Sequence, residues 1–217
     1  MTTWGGLLAD IRSDLKDTGT TPRWSDDILY LFAKDAMHAY SLDFPLLSMR
    51  QELTASTGKF GLPSNFLDAI SAETVAGEYL RPLHPATGLR IGNTQKATSY
   101  YVSGGSLYLD KAPQDGDTLL FSYYGKYDLP ASKTDTTFAL GIPTEDEELI
   151  RLFIKAKIAE QIRLQQSNLD RFKPGSGARD DNPMLPEHNE LMREYRERVA
   201  ERTGGIVYLY STSRMRR

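Results

Sequence analysis

The sequence contains no cysteine. Disulfides, thiolate nucleophiles and cysteine-ligated zinc or iron–sulfur sites are thereby excluded together. Long apolar runs are missing too, and nothing approaches the ~18 residues of a membrane-spanning helix. The opening Met1-Thr2-Thr3-Trp4-Gly5-Gly6 has neither the basic flank nor the apolar block of a secretion signal. A soluble chain is expected, intracellular when made and held together by packing. Histidine is scarce: His38, His84 and His188 lie far apart and none belongs to an HExxH pattern. No G-x-S-x-G elbow is present to anchor a triad. Gly58-Lys59 and Gly125-Lys126 lack the preceding glycine-rich loop of a phosphate cradle, and Gly175-Ser176-Gly177 sits in a proline-bearing stretch. Asp110, Asp115 and Asp117 miss the one-three-five spacing of a calcium loop. No catalytic, cofactor-binding or metal-ligating residue is expected, and the chain reads as a non-enzyme.

Charge of one sign is also lacking. The 217 residues carry 26 basic and 29 acidic side chains, a net charge of −3, with an isoelectric point near 5.7. A dedicated duplex-DNA binder concentrates basic residues on one face. Here only the C-terminus is unbalanced, with Arg214, Arg216 and Arg217 in the last four positions. Free nucleic-acid binding is therefore disfavoured. The 40% of hydrophobic residues is enough to build a packed core.

Residues 1–44 read as two helices. Trp4, Leu7, Leu8, Ile11 and Leu15 recur at helical spacing. Gly19 and Pro22 then break the chain. Ser25 stands as an N-cap, with Asp26 and Asp27 at the positive end of the helix dipole. From residue 46 to about 140 the rhythm becomes β-like. Glu52–Pro63 reads as two short strands joined at Thr57-Gly58, and Ser64 as the cap of a single helical turn over 65–70. Tyr100–Val102, Gly104-Gly105 and Leu107–Leu109 form a hairpin signal. Leu119–Tyr124 is a further strand, and every connection suits antiparallel pairing. Thr144-Glu145-Asp146-Glu147 reads as a capping box. Behind it Ile150, Ile154, Ile158 and Ile162 form the stripe of a long helix. A loop over 173–183 and a last helix over about 186–203 follow, stopped by Gly204-Gly205.

Each terminal helix pair has an apolar stripe that needs cover. The expected fold class is therefore α+β, a four-helix bundle made from N- and C-terminal helix pairs. It carries a central antiparallel β insertion and an extended C-terminal arm. The expected boundaries are 1–44 plus 144–203 for the bundle, 45–143 for the insertion and 204–217 for the arm. The tyrosines at 100, 101, 108, 123, 124 and 127 admit two readings, a stacking platform for sugars or bases, or strand formers with a wet edge.

The tail carries the most specific chemistry. Ile206, Val207, Tyr208, Leu209 and Tyr210 are strand-forming, small polar residues follow, and Arg214, Met215, Arg216 and Arg217 end the chain without an acid. It can fold back as a strand on its own sheet, or be donated to another chain. Thirteen extended residues reach on the order of 40 Å, enough to add a strand to a partner's sheet edge.

Several segments in order carry a family resemblance. They are Pro22–Leu29, Ala36–Tyr40, Gly61–Phe66, the Gly104–Leu109 hairpin and Phe121–Tyr127 leading into Ile142-Pro143 and a long helix. The chain resembles the head–tail connector, or adaptor, proteins of tailed bacteriophages. The resemblance implies a virion protein made in the host cytoplasm and assembled as a twelve-membered ring beneath the portal protein. It implies tail or nozzle proteins below, genomic DNA passing through without sequence-specific binding, and no membrane partner or cofactor. It also implies a C-terminal arm against the portal, which matches Ile206–Arg217. The alternative is a tail-associated carbohydrate-binding or hydrolytic module using the tyrosine-rich sheet.

Overall fold

The computed structural model describes residues 2–83, 96–170 and 184–203. The chain divides into two compact units, one formed from Met1–Phe44 with Tyr127–Arg217, the other from Pro45–Lys126.

The first unit is built on four helices, α1 (Trp4–Asp14), α2 (Asp26–Asp43), α3 (Glu147–Asp170) and α4 (Met184–Arg202). Local chemistry sets their starts. The Thr3 hydroxyl accepts from the Gly6 N–H and the Ser25 hydroxyl from the Ile28 N–H, each satisfying a donor that the first helical turn leaves stranded. Asp17 ties α1 to α2, since its buried carboxylate accepts from the Arg23 and Trp24 amides and from Arg12. Within the same unit, Tyr127–Pro143 runs back along the helices. Trp4 Nε1 donates to the Lys133 carbonyl at 2.9 Å, the Tyr30 hydroxyl donates to the Pro130 carbonyl, and Thr3 bridges Ala139. The core gathers Trp4, Leu7, Ile11, Leu29, Met37, Tyr40, Ile150, Ile154, Ile158 and Tyr195. Each such side chain contributes about 1.5–3 kcal/mol by leaving water.

The expected capping box does not form. Thr144–Asp146 is a 3-10 turn whose N-cap is Pro143, without a side-chain cap, and α3 starts only at Glu147. Proline at 143 is held in an extended conformation, and its carbonyl accepts the Asp146 N–H at 3.0 Å.

The second unit is a sheet of seven strands: β1 (Leu46–Ser56), β2 (Lys59–Gly61), β3 (Phe66–Thr74), β4 (Arg81–Pro82), β5 (Ser99–Ser103), β6 (Ser106–Leu109) and β7 (Thr118–Gly125). Their order is β3-β7-β1-β2-β6-β5-β4. The two strands at the ends of that order are consecutive in the chain and meet through a tight connection. Leu80 N–H donates to the Ala72 carbonyl and Thr74 N–H to the Glu78 carbonyl, both at 2.9 Å, and Glu73 bridges Tyr79. The sheet is thus a near-barrel. A bulge between Ser48 and Gln51 lets the long β1 bend, with Arg50 at φ 52° and its N–H on the Ser122 hydroxyl. Leu53, Phe60, Ala72, Leu107, Leu119, Phe121 and Tyr123 fill the interior. The Gly104-Gly105 turn adopts φ 56° and 75°, the left-handed pair that a two-residue hairpin demands.

These observations correct the expected fold class. The protein is a mixed α+β fold of four helices plus a seven-strand near-barrel, and it is not a four-helix bundle carrying a β insertion. The β segment has a closed interior of its own, so it does not serve as an appendage to helical packing. Within the helical unit α3 is the shared neighbour of α4, α2 and α1. Pairing is not wholly antiparallel either, since β4 runs parallel to β5. The helical turn expected over 65–70 is replaced by β3, which pairs with β7 from Phe66 to Thr74.

Candidate functional site

All the residues singled out in the arm lie outside the described residues, namely Ile206, Val207, Tyr208, Leu209, Tyr210, Arg214, Met215, Arg216 and Arg217. So does the 173–183 loop. The structure does describe the end of α4, the helix that precedes residue 204 in the chain.

That end is held by a polar network in the helical unit. Asp146, at the mouth of α3, is only 4% exposed. Its Oδ2 accepts from the Tyr40 hydroxyl of α2 at 2.7 Å, and its Oδ1 accepts from Arg202 Nε at 3.1 Å. Arg202 also reaches Glu145 at 2.5 Å, and Arg198 pairs with Glu148 and Glu194. The last turn of α4 is thereby fixed to the 3-10 turn and to the first turn of α3. Burial and the neighbouring Asp146 carboxylate both push the Tyr40 phenol far above its ordinary value, so it stays a donor. A second phenol–carboxylate pair lies nearby, with the Tyr195 hydroxyl donating to Asp43 Oδ2 at 2.7 Å. Burial raises the Asp43 pKa above its ordinary value, with the Tyr195 hydrogen bond pulling the other way.

The acidic run Glu145–Glu148 was legible only as a helix start. Its real work is to hold α4, and no local spacing could have paired Asp146 with residues 106 and 56 positions away.

The six tyrosines do not converge. Tyr100 and Tyr123 point into the barrel, each 3% exposed. Tyr123 donates to Gln51 at 2.7 Å, whereas Tyr127 packs tilted against Tyr40 within the helical unit. Tyr101 and Tyr108 pair face to face, with ring centroids 4.9 Å apart. A sugar platform needs rings lined up along one face, and here Tyr100 and Tyr123 belong to the barrel core while Tyr127 packs on the helical one.

The carboxylates of the β unit fix turns. Asp115 accepts from the Thr57 amide, Asp117 from the Gln114 amide, and Asp110 from the Thr98 amide and hydroxyl. Burial raises the Asp110 pKa, but these hydrogen bonds outweigh it and the net shift is downward. Among the described residues no three His, Asp or Glu side chains come together in a way that can hold a metal ion. His38 is exposed on α2, His188 places Nδ1 2.8 Å from the Ala156 carbonyl, and His84 lies outside the described residues. A cavity of about 700 Å³ opens at one end of the barrel, floored by Phe60, Leu109 and Leu119 and edged by Lys96, Lys111 and Val75. No helix of the described residues is long and apolar enough to cross a membrane.

The family model described as SU10 adaptor protein matches residues 2–181. The chain belongs to the SU10 adaptor protein family. The match reaches into both compact units of this adaptor and stops before α4, so Arg198, Arg202 and residues 204–217 lie beyond it. It agrees with the head–tail adaptor resemblance carried by the sequence motifs, and the adaptor is a structural protein of the phage virion. No curated protein matches the adaptor chain.

Proposed function

We propose that this adaptor assembles as a twelve-membered ring that joins the portal protein to tail or nozzle proteins and continues the DNA channel. The family match over residues 2–181 is the observation that carries this reading. In it, the helical unit forms the frame, the β unit (Pro45–Lys126) offers further contact surface, and residues 204–217 serve as the arm. Ile206–Tyr210 seat the arm by adding a strand to the portal, and Arg214, Arg216 and Arg217 pair with acidic groups there. A net charge of −3 per chain, repeated around a ring, repels phosphate and lets genomic DNA pass without sequence-specific binding. Assembly takes place in the host cytoplasm and the product stays at the head–tail interface of the virion.

The arm assignment is tested by deleting residues 206–217. The fold is expected to be retained, because the packing among the described residues holds both cores together through side chains before 204, and co-sedimentation with portal is lost. Undiminished portal binding by the truncated chain overturns the assignment.

A further inference from the structure

We propose that α2 carries a second, outward seam through which two copies of this chain pair antiparallel. The inward stripe of α2 is Leu29, Ala33, Ala36, Met37 and Tyr40, all buried in the core of their own unit. A helix with one covered face ordinarily presents polar residues on the other. Here Ile28, Leu31 and Leu42 are 36%, 56% and 45% exposed. With the exposed Asp35 and His38 they stand at 28, 31, 35, 38 and 42. Steps of three, four, three and four residues trace the a and d positions of a two-heptad coiled-coil seam.

The charges in the middle of that seam select both partner and direction. If two α2 helices run parallel and in register, Asp35 faces Asp35 and His38 faces His38, two like-with-like polar layers inside an apolar contact. If they run antiparallel, a positions face d positions. Asp35 of each copy then meets His38 of the other, and Leu31 of each meets Leu42 of the other. The same two-fold axis repeats these two layers, and Ile28 stands beyond them at either end, opposite a position past the end of α2. A carboxylate opposite an imidazole gives each polar group a hydrogen-bonding partner, which the parallel arrangement denies to both. The seam therefore complements itself, and the occupant that it fits is a second copy of this chain. A two-fold contact closes on itself and does not propagate. It is thus separate from a head-to-tail ring contact, and it does not rest on the ring reading.

Because the chain has no cysteine, the register can be read by cross-linking. Leu31→Cys and Leu42→Cys chains are prepared separately, mixed and treated with a short bismaleimide, and the products are separated by mass. A 31-to-42 link in excess of 31-to-31 and 42-to-42 links is expected. Sedimentation of the unmodified chain at rising concentration should give a species of twice the 24.4 kDa of one chain. Leu31→Glu, at an exposed position, should return it to one chain. Asp35→Lys should also weaken pairing, and adding His38→Glu to that variant should restore it. Equal or dominant 31-to-31 links, a single-chain mass at every concentration, or dimers insensitive to Leu31→Glu would each overturn the proposal.

Discussion

Tyr40→Phe isolates the contribution of the Asp146 network to the helical unit. The substitution removes one hydroxyl and leaves the ring, whose neighbours Phe44 and Tyr127 lie with centroids at 5.1 and 5.3 Å. Both partners are buried, Tyr40 at 1% and Asp146 at 4% exposure, so water cannot replace the lost donor without entering the core. A hydrogen bond to a charged acceptor is worth about 1.5–3 kcal/mol, against about 0.5–1.5 kcal/mol for a neutral one. The control is Tyr30→Phe, which takes a hydroxyl from the neutral Pro130 carbonyl. Tyr40→Phe should therefore cost about 1.5–3 kcal/mol and exceed the control. For a chain of this length that is a fall of roughly 3–12 °C in Tm at about 2–4 °C per kcal/mol. Urea unfolding read by hydrogen exchange of the α2 and α3 amides reports on this unit alone. A double-mutant cycle with Asp146→Asn should show coupling of about 0.5–3 kcal/mol. Equal losses for Tyr40→Phe and Tyr30→Phe, or no coupling in the cycle, would refute the account of this network.

Two further substitutions test close packing and burial. A Cβ added at Gly5 would lie 2.8 Å from both the Thr136 carbonyl oxygen and its Cβ, so Gly5→Ala should lose about 1–3 kcal/mol in urea unfolding, whereas Gly19→Ala, with open space around it, should lose nothing. Asp43 has its pKa raised above the ordinary 3.8, so the folded chain keeps that proton longer than the unfolded one, and the group's contribution to stability falls as pH rises from about 3.8 through the raised value. The stability difference between the natural chain and Asp43→Asn should accordingly be most favourable to the natural chain at acid pH and shrink toward neutrality. A difference that grows with pH would reverse the sign of this argument.

The helices were legible because their signals are local. Leu7 and Ile11 recur within one helical face, and Ser25 sits where a stranded amide needs an acceptor. The Gly104-Gly105 hairpin was legible for the same reason. The strand over Phe66–Thr74 was not, because it is imposed from afar by β7, some 50 residues later in the chain. Closure of the barrel depends on β4, which is two residues long and leaves almost no pattern. The capping box failed through a single neighbour, since Pro143 already supplies the extended residue that Thr144 was expected to provide. Of the candidate site, the sequence pointed to residues 206–217, which lie outside the described residues, and missed the network at the end of α4. Tyr40, Asp146 and Arg202 meet only once three helices are packed. The adaptor family itself was legible in the order of short motifs, each unremarkable alone, and the match over residues 2–181 bears it out.

Electron microscopy of the chain mixed with portal tests the central claim most directly. The account predicts twelve-fold rings of this protein stacked on the portal, with density from residues 206–217 lying against the portal surface. Single copies beside an undecorated portal, or rings whose arms stay folded on their own subunits, would contradict it.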